Sequence, residues 1–437
     1  MIISRPHTDA ADTSTPPRIL VKGVGLVSPL GRSAWGTFKA LLAGGCLTDR
    51  LARLEQRQRV QPHALARWVG TAQPAVPSPW VDPVVALAEH AARQAISEAA
   101  AAAPSTMGAG GGIDAAYLGI SKGAMSTWGR AAERFHQWGD SGARGEMVEE
   151  EGEANDDPAE LARVVMLGPG GYAAAALQQR LELSRIETRI AACASSLVAL
   201  DTARRRMLQP GGPRRVLVLT AEAALLPMFI ASYQRLGVLP PLTVAGYRGR
   251  PLDGARGGFV LAELAAAVVL ERVEPGQPVE PGSLALTGTA TGCEPYDLIR
   301  PAPAMPVLRE LAAGLIGDAP LDLLHPHATG TAGQDEVELS VYAEVLAQPA
   351  AVYACKGALG HGLGAAGLVS LVLACLCARA EWRPPMPWVE HPIVAEGRRC
   401  RLEPMRDAGR GRFQRQAVFA AGFGGHTAGA VVEQMHA

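Results

Sequence analysis

Apolar positions along the chain recur at two periods, two residues and about 3.6, which are the periods of strand and helix. The first organised segment is Arg18 to Gly31. There Ile19-Leu20-Val21 reads as a strand leading through Gly23-Val24-Gly25 into a turn at Ser28-Pro29-Leu30-Gly31. A dinucleotide-binding fingerprint is excluded, because its third glycine is missing and Ser28-Pro29 interrupts the place where the phosphate-binding helix would start. Trp80 to Ala103 has Val84, Leu87, Ala91 and Ile96 at helical spacing, and Tyr117 to Ile120 reads as a short strand. Residues 128–160 then turn polar and acidic, with Glu146, Glu149, Glu150, Glu151, Glu153, Asp156 and Asp157, and predict a solvated surface loop.

Downstream the pattern sharpens. Arg185 to Ala192 alternates like a strand, Cys193 stands at its end, and Ser195 to Leu208 carries Leu197, Leu200, Ala203 and Met207 at helical spacing. Pro213 to Ala221 follows as a buried strand. The second half has the same texture, with strands over Phe259 to Leu270, Ser283 to Thr289, Leu321 to Leu324 and Ala350 to Cys355, and a helix over Met305 to Ile316. The Gly357 to Gly364 loop precedes an apolar helix over Gly364 to Ala378, and two β-rich runs, Gln416 to Ala421 and Ala428 to Gln434, flank Gly422-Phe423-Gly424-Gly425. Strands alternating with helices through glycine-rich turns predict an α/β fold with the strands covered on both faces.

Composition narrows the function classes. With 437 residues, 48% hydrophobic and 19% charged, the chain is globular and large enough for two domains or one fold made of two halves. A formal net charge of −1 supplies no overall field for nucleic acid or an anionic membrane. Residues 1–17 are polar and proline-rich, a loose tail without the order of an export signal. The longest apolar stretches, such as Leu368 to Ala378, fall short of the ~20 residues of a membrane span. The seven cysteines are scattered and odd in number, which predicts free thiols in a reducing, cytoplasmic setting.

Three groups could carry chemistry. Cys193, at a strand end and in the first turn of a helix, would face the positive end of a helix dipole, which lowers a thiol pKa and stabilises an oxyanion; a buried structural cysteine is the plain alternative. Lys356 is one of only four lysines, with Lys22, Lys39 and Lys122, and stands five residues before His361 in a glycine-rich loop; an ordinary solvated lysine is its alternative. His325 and His327, two apart on an extended segment, would project to one side like metal ligands, with Asp335, Glu336 or His361 as further candidates, but no tight ligand spacing completes the set and no metal is expected.

Taken together, several segments resemble the β-ketoacyl synthases of the thiolase superfamily. They are Gly23 to Gly31, the nucleophile motif Ala192-Cys193-Ala194-Ser195-Ser196-Leu197, the first histidine motif His327-Ala328-Thr329-Gly330-Thr331, the run Lys356-Gly357-Ala358-Leu359-Gly360-His361, and the closing Gly422-Phe423-Gly424-Gly425. The resemblance spans Ile19 to Glu433 in the family's order. It implies a five-layer αβαβα thiolase-like fold of two similar halves, residues 18–275 carrying the nucleophile and 276–437 the His, Lys and His groups, meeting near Glu274 to Pro281. It also implies that Cys193 holds an acyl group, that His327 and His361 support decarboxylation of a malonyl thioester, and that Lys356 orients them. The backbone N–H groups of Cys193 and Phe423 would form the oxyanion hole, with Phe423 as gate.

No bound cofactor is implied. The acyl groups would arrive on the phosphopantetheine arm of an acyl carrier protein, since the chain shows no carrier or acyltransferase segment and reads as a discrete subunit. Arg235 sits where the family often has a carrier-docking arginine, with Arg204, Arg205 and Arg206 as a further basic run for which a solvated helix face is the favoured alternative. A homodimer, or a heterodimer with a ketosynthase-like subunit, is implied. Departures from the family pattern are Ala328 for glycine, Gly257 for an acidic residue, Glu263 between Ala262 and Leu264, His426-Thr427 for Thr-Asn, and a missing basic run in Thr71 to Pro83. They point toward a specialised polyketide, aryl-polyene or fatty-acid pathway. A non-catalytic chain-length partner subunit is the alternative, although such subunits generally lack the nucleophile. A thiolase-like enzyme would need a second cysteine near the closing loop, and Phe419 to Thr427 has none.

Overall fold

The computed structural model describes residues 2–3, 16–53, 62–72, 81–101, 112–144, 158–393, 400–401 and 407–435. Most of the N-terminal tail, the acidic residues Glu146 to Asp157 and much of Thr71 to Pro83 lie outside the described residues. Among the described residues, 12 strands join in one sheet and a further pair, Trp382–Arg383 with Gly409–Arg410, stands apart; the core of the large sheet is laid down twice on one plan. In the first half β1 (Arg18–Val27), β2 (Ala115–Gly119), β3 (Ile186–Arg189), β4 (Arg215–Glu222) and β5 (Leu264–Val273) lie in the order β3-β2-β4-β5-β1. In the second, β6 (Leu284–Cys293), β7 (Leu323–His325), β8 (Ala350–Val352), β9 (Arg415–Ala421) and β10 (His426–Gln434) lie in the order β8-β7-β9-β10-β6. In each half the first two pairings are parallel and the last two antiparallel. The halves meet through the single pair Leu20 and Ala285 of β1 and β6.

Helices complete five layers. α1 (Pro83–Ala101) covers the outer face of β1, β5 and β4. It lies so close that a Cβ on Gly25 would sit 1.9 Å from Ala91 O, which is why glycine and alanine face each other there. α4 (Ser195–Leu208) and α8 (Ala366–Ala380) fill the layer between the half-sheets, and α6 (Pro306–Ile316) covers β6 and β10 from outside, with α7 (Gln334–Val345) against it. α8 is apolar on all sides because it has sheet on both faces. The stretch Leu363–Ala380 has a mean hydropathy of 2.0, enough by length and composition to cross a membrane, yet 89% of it is buried as a core helix.

Two sequence expectations change. Much of residues 128–160 is helix: α2 (Met125–Arg144) and α3 (Pro158–Arg180) flank the acidic stretch. Trp128, Ala131, Phe135 and Trp138 fall at helical spacing, a stripe that the surrounding polar residues masked in the sequence reading. The strand expected from Phe259 begins only at Leu264. The preceding backbone is spent on other loops: Gly258 N–H donates to Gly330 O at 2.8 Å and Ala262 N–H to His361 O at 3.2 Å.

Candidate active site

Cys193 sits in a single turn, Ala192–Ala194, between β3 and α4. The turn is tight because Ala192 has φ +46°, a left-handed conformation in which a methyl is the least obstructive side chain. Ser195 braces it: Ala191 N–H donates to Ser195 Oγ at 2.9 Å, and that hydroxyl donates to Ala192 O at 2.6 Å. Gly422 packs against the turn, where a Cβ would lie 2.8 Å from Cys193 N. Phe423 therefore follows directly beside the thiol.

Two connections of the second half deliver the three basic groups. His327 follows β7, and its N–H donates to Glu338 Oε1 at 2.5 Å while Ala328 N–H donates to Oε2 at 2.7 Å. Tyr342 OH donates to the same carboxylate at 2.9 Å. Lys356 opens a single helical turn, Lys356–Leu359, and its Nζ donates to His327 O, holding the histidine loop from the other side. His361 N–H donates to Val260 O at 2.7 Å, and its ring meets Phe259 edge-on at 4.8 Å between centroids. The His327 and His361 rings are 5.4 Å apart. Cys193 Sγ and one nitrogen of each histidine lie within 4.8 Å of one another, all three residues buried. They line a cavity of about 490 Å³ together with Phe423, Tyr233 and Phe259.

Burial sets the electrostatics. Desolvation pushes the Cys193 thiol up to about 12, and the nearby Lys356 charge only partly offsets it. This runs against the expectation from helix position, since burial favours the protonated thiol. Desolvation, then the Lys356 charge, holds both His327 and His361 well below the ordinary imidazole range, so each is neutral and each offers one donor and one acceptor nitrogen. Desolvation also lowers the Lys356 ammonium and raises Glu338 to about 7.

His325 does not join this group. Pro326 breaks the extended alternation, and His325 Nε2 turns to Gln416 Oε1 at 2.9 Å. Asp335 instead accepts N–H groups from Leu252 and Gly330, and Glu336 pairs with Arg256 at 3.3 Å. The thiol and two imidazoles have the ligand types of a zinc site, but their spread of up to 4.8 Å and the ammonium of Lys356 beside them suit a divalent cation poorly.

The arginines separate. Arg235, at the end of α5 (Pro227–Arg235), is exposed next to Leu236 and Gly237 of the cavity lining. Arg204, Arg205 and Arg206 occupy the opposite end of α4 from Cys193 and are not among the residues lining the cavity. Arg204 donates to Thr287 O at 2.9 Å, and Arg205 pairs with Asp201 at 2.8 Å. Of the departures, Ala328 holds φ +33°, Gly257 is exposed with open space around it, and Glu263 accepts Ala72 N–H at 3.1 Å. His426 opens β10 opposite Cys293.

The signature of the β-ketoacyl synthase N-terminal domain matches residues 17–275, and that of the C-terminal domain matches residues 300–390. The chain belongs to the β-ketoacyl synthase family. This synthase-family chain is 26% identical over 226 residues to 3-oxoacyl-[acyl-carrier-protein] synthase 2 of Mycobacterium leprae (strain TN), covering 50% of this chain and 54% of that protein. It is 28% identical over 160 residues to a polyketide-biosynthesis malonyl-ACP decarboxylase of Bacillus subtilis (strain 168), covering 33% and 36%. The chain thus spans about half the length of the first of these relatives and less of the second. The ketosynthase structure of the AntDE:AntF complex, a type II polyketide acyl-carrier protein with its ketosynthase bound to the hexaketide, shares the fold at TM-score 0.72 and 18% identity, covering 96% of this chain and 100% of that one. The ishigamide ketosynthase/chain length factor does so at TM-score 0.70 and 19% identity, with the same coverage.

Sequence reasoning missed Glu338, the carboxylate that holds the His327 loop by three hydrogen bonds. Its signal was present: an acid one turn of α7 beyond Asp335, with a tyrosine one turn further on at Tyr342, on the buried face. Tyr233 and Phe259, which form the apolar wall, were also missed.

Proposed function

We propose that this chain condenses two thioesters, an acyl group held on Cys193 and a malonyl unit, both brought by an acyl carrier protein. The observation that carries the proposal is the convergence of Cys193 Sγ and the two neutral imidazoles within 4.8 Å at one cavity. In the first step Cys193 Sγ bonds to the acyl carbon, the carrier thioester C–S bond breaks, and the thiol proton leaves on the carrier thiol. With the thiol pushed up to about 12, deprotonation must accompany attack, and a neutral histidine is the acceptor at hand. In the second step the malonyl C–COO⁻ bond breaks to release carbon dioxide, and N–H groups of His327 and His361 stabilise the enolate oxygen. The enolate carbon then bonds to the acyl carbon as Sγ departs, and the thiolate regains a proton. The Cys193 and Phe423 N–H groups are proposed to hold the oxyanion of both tetrahedral intermediates.

The phosphopantetheine arm is proposed to enter beside Arg235, whose charge suits an acidic carrier. A second subunit is proposed to pair with the open edge of β3. That edge lies beside Met166, 86% exposed, and Ile190, 66% exposed. Its sequence is self-complementary about Thr188, since an antiparallel copy would set Glu187 opposite Arg189 in both directions.

The test is product formation. With acyl- and malonyl-carrier thioesters the protein should yield a 3-oxoacyl thioester, and Cys193→Ala should yield none. Absence of product with every carrier, alongside tight binding to a second ketosynthase subunit, would favour the non-catalytic partner role.

A further inference from the structure

We infer that Lys122 selects acyl groups that carry a carboxylate at their far end, an inference that rests on the condensing role proposed above. Lys122 lies in the loop after β2, and the end of that strand abuts the nucleophile helix: a Cβ on Gly119 would lie 2.5 Å from Ser196 Cα. The loop is fixed by Glu222, the last residue of β4, which accepts the N–H groups of Ser121 and, at 3.3 Å, of Lys122. From there the Lys122 ammonium reaches over the ring of Phe229, 5.4 Å from its centroid. Phe229 stands one helical turn before Tyr233, which lines the cavity with Cys193. A cation is thus placed behind the apolar wall that an acyl chain on Cys193 would follow.

The Glu222 carboxylate interacts with this charge but is completely buried and occupied by backbone donors, and desolvation raises it to about 7 although the Lys122 charge lowers it, so near neutral pH it compensates the ammonium only in part. Lys122 is half-buried, and its loop is pinned to the exposed apolar segment of α3: Ala124 N–H donates to Pro169 O at 3.0 Å, just beyond Met166 and Leu167. A second subunit seated on β3 and that segment would close over Lys122 and remove its water. A desolvated ammonium needs an anionic partner. An alkyl chain offers none, whereas a terminal carboxylate on the acyl group does.

The test compares two N-acetylcysteamine thioesters of equal chain length, glutaryl and pentanoyl, by the rate at which each acylates Cys193 in the full-length protein, read by intact mass. In each reaction Sγ bonds to the acyl carbon, the thioester C–S bond breaks, and N-acetylcysteamine leaves as the thiol. Only the ratio of the two rates within each variant is read, so a general loss of loading cancels. Wild type should favour glutaryl by about tenfold or more, Lys122→Met should bring the ratio to one or below, and Lys122→Arg should restore it. An unchanged ratio in Lys122→Met, or pentanoyl loading without glutaryl loading in wild type, would overturn the assignment of Lys122 while leaving the condensing role intact. Loading by neither thioester would overturn both.

Discussion

The two halves open their central helices with the same turn and fill it differently. In the first, Ala192 takes φ +46° at the start of the turn before α4; in the second, Leu363 takes φ +44° at the start of the turn Leu363–Ala365 before α8. The residue after the strained position is Cys193 in one and Gly364 in the other. Each turn packs against the end of a strand of the opposite half: a Cβ on Gly422, just after β9, would lie 2.8 Å from Cys193 N, and a Cβ on Gly364 would lie 2.6 Å from Oε1 of Glu222, the last residue of β4. Ser196 Oγ accepts Leu368 N–H at 3.1 Å and locks the two helix starts together. The duplicated backbone therefore presents two equivalent places for a side chain, and only one holds a nucleophile. The second half gives that place to Glu222 and carries its chemistry instead in the longer connection from β8, which holds Lys356 and His361.

The largest effect should come from separating these two contributions. His327→Ala or His361→Ala should cut condensation by roughly 10²–10⁴-fold while acyl loading on Cys193 falls far less, because the remaining imidazole can still take the thiol proton whereas enolate stabilisation uses both. Equal loss of loading and condensation would break the division. Next, Gly364→Ala forces a methyl against Glu222 Oε1 and Ser121 N, and should lower stability by about 1–3 kcal/mol in urea unfolding; an unchanged midpoint would show that the second turn is not tightly filled. Smaller still is the effect of the Lys356 charge on the thiol. Because burial raises Cys193 to about 12, iodoacetamide labelling of that residue should climb about tenfold per pH unit from about pH 7 to 9 without levelling. Lys356→Met removes the charge that lowers the thiol and should slow labelling about tenfold at each pH. A plateau near pH 8 would contradict this.

Much of this arrangement was legible before any coordinates. Cys193, His327, Lys356, His361 and Phe423 stand in short motifs whose glycines and alanines mark tight backbone; the structure brings Cys193, His327, His361 and Phe423 to one cavity and sets Lys356 against the His327 carbonyl. What was hidden depended on contacts between distant segments. Glu338 reads as one more polar residue of a helix until the His327 loop folds onto it. The thiol of Cys193 seemed activated by its helix, but local sequence carries no measure of desolvation, and burial raises the thiol more than the nearby Lys356 charge lowers it. The run Arg204 to Arg206 left a solvated helix face and a docking patch both open in the sequence, with the solvated face favoured, and its place at the far end of α4 was not visible until the helix was built.

The account stands most directly on where an acyl group goes. Incubation with an acyl-carrier thioester, followed by proteolysis and tandem mass spectrometry, should find one acyl group per chain, on the Cys193 peptide, and none anywhere in Cys193→Ala. Acylation of Cys293 or another thiol with Cys193 unmodified would contradict it.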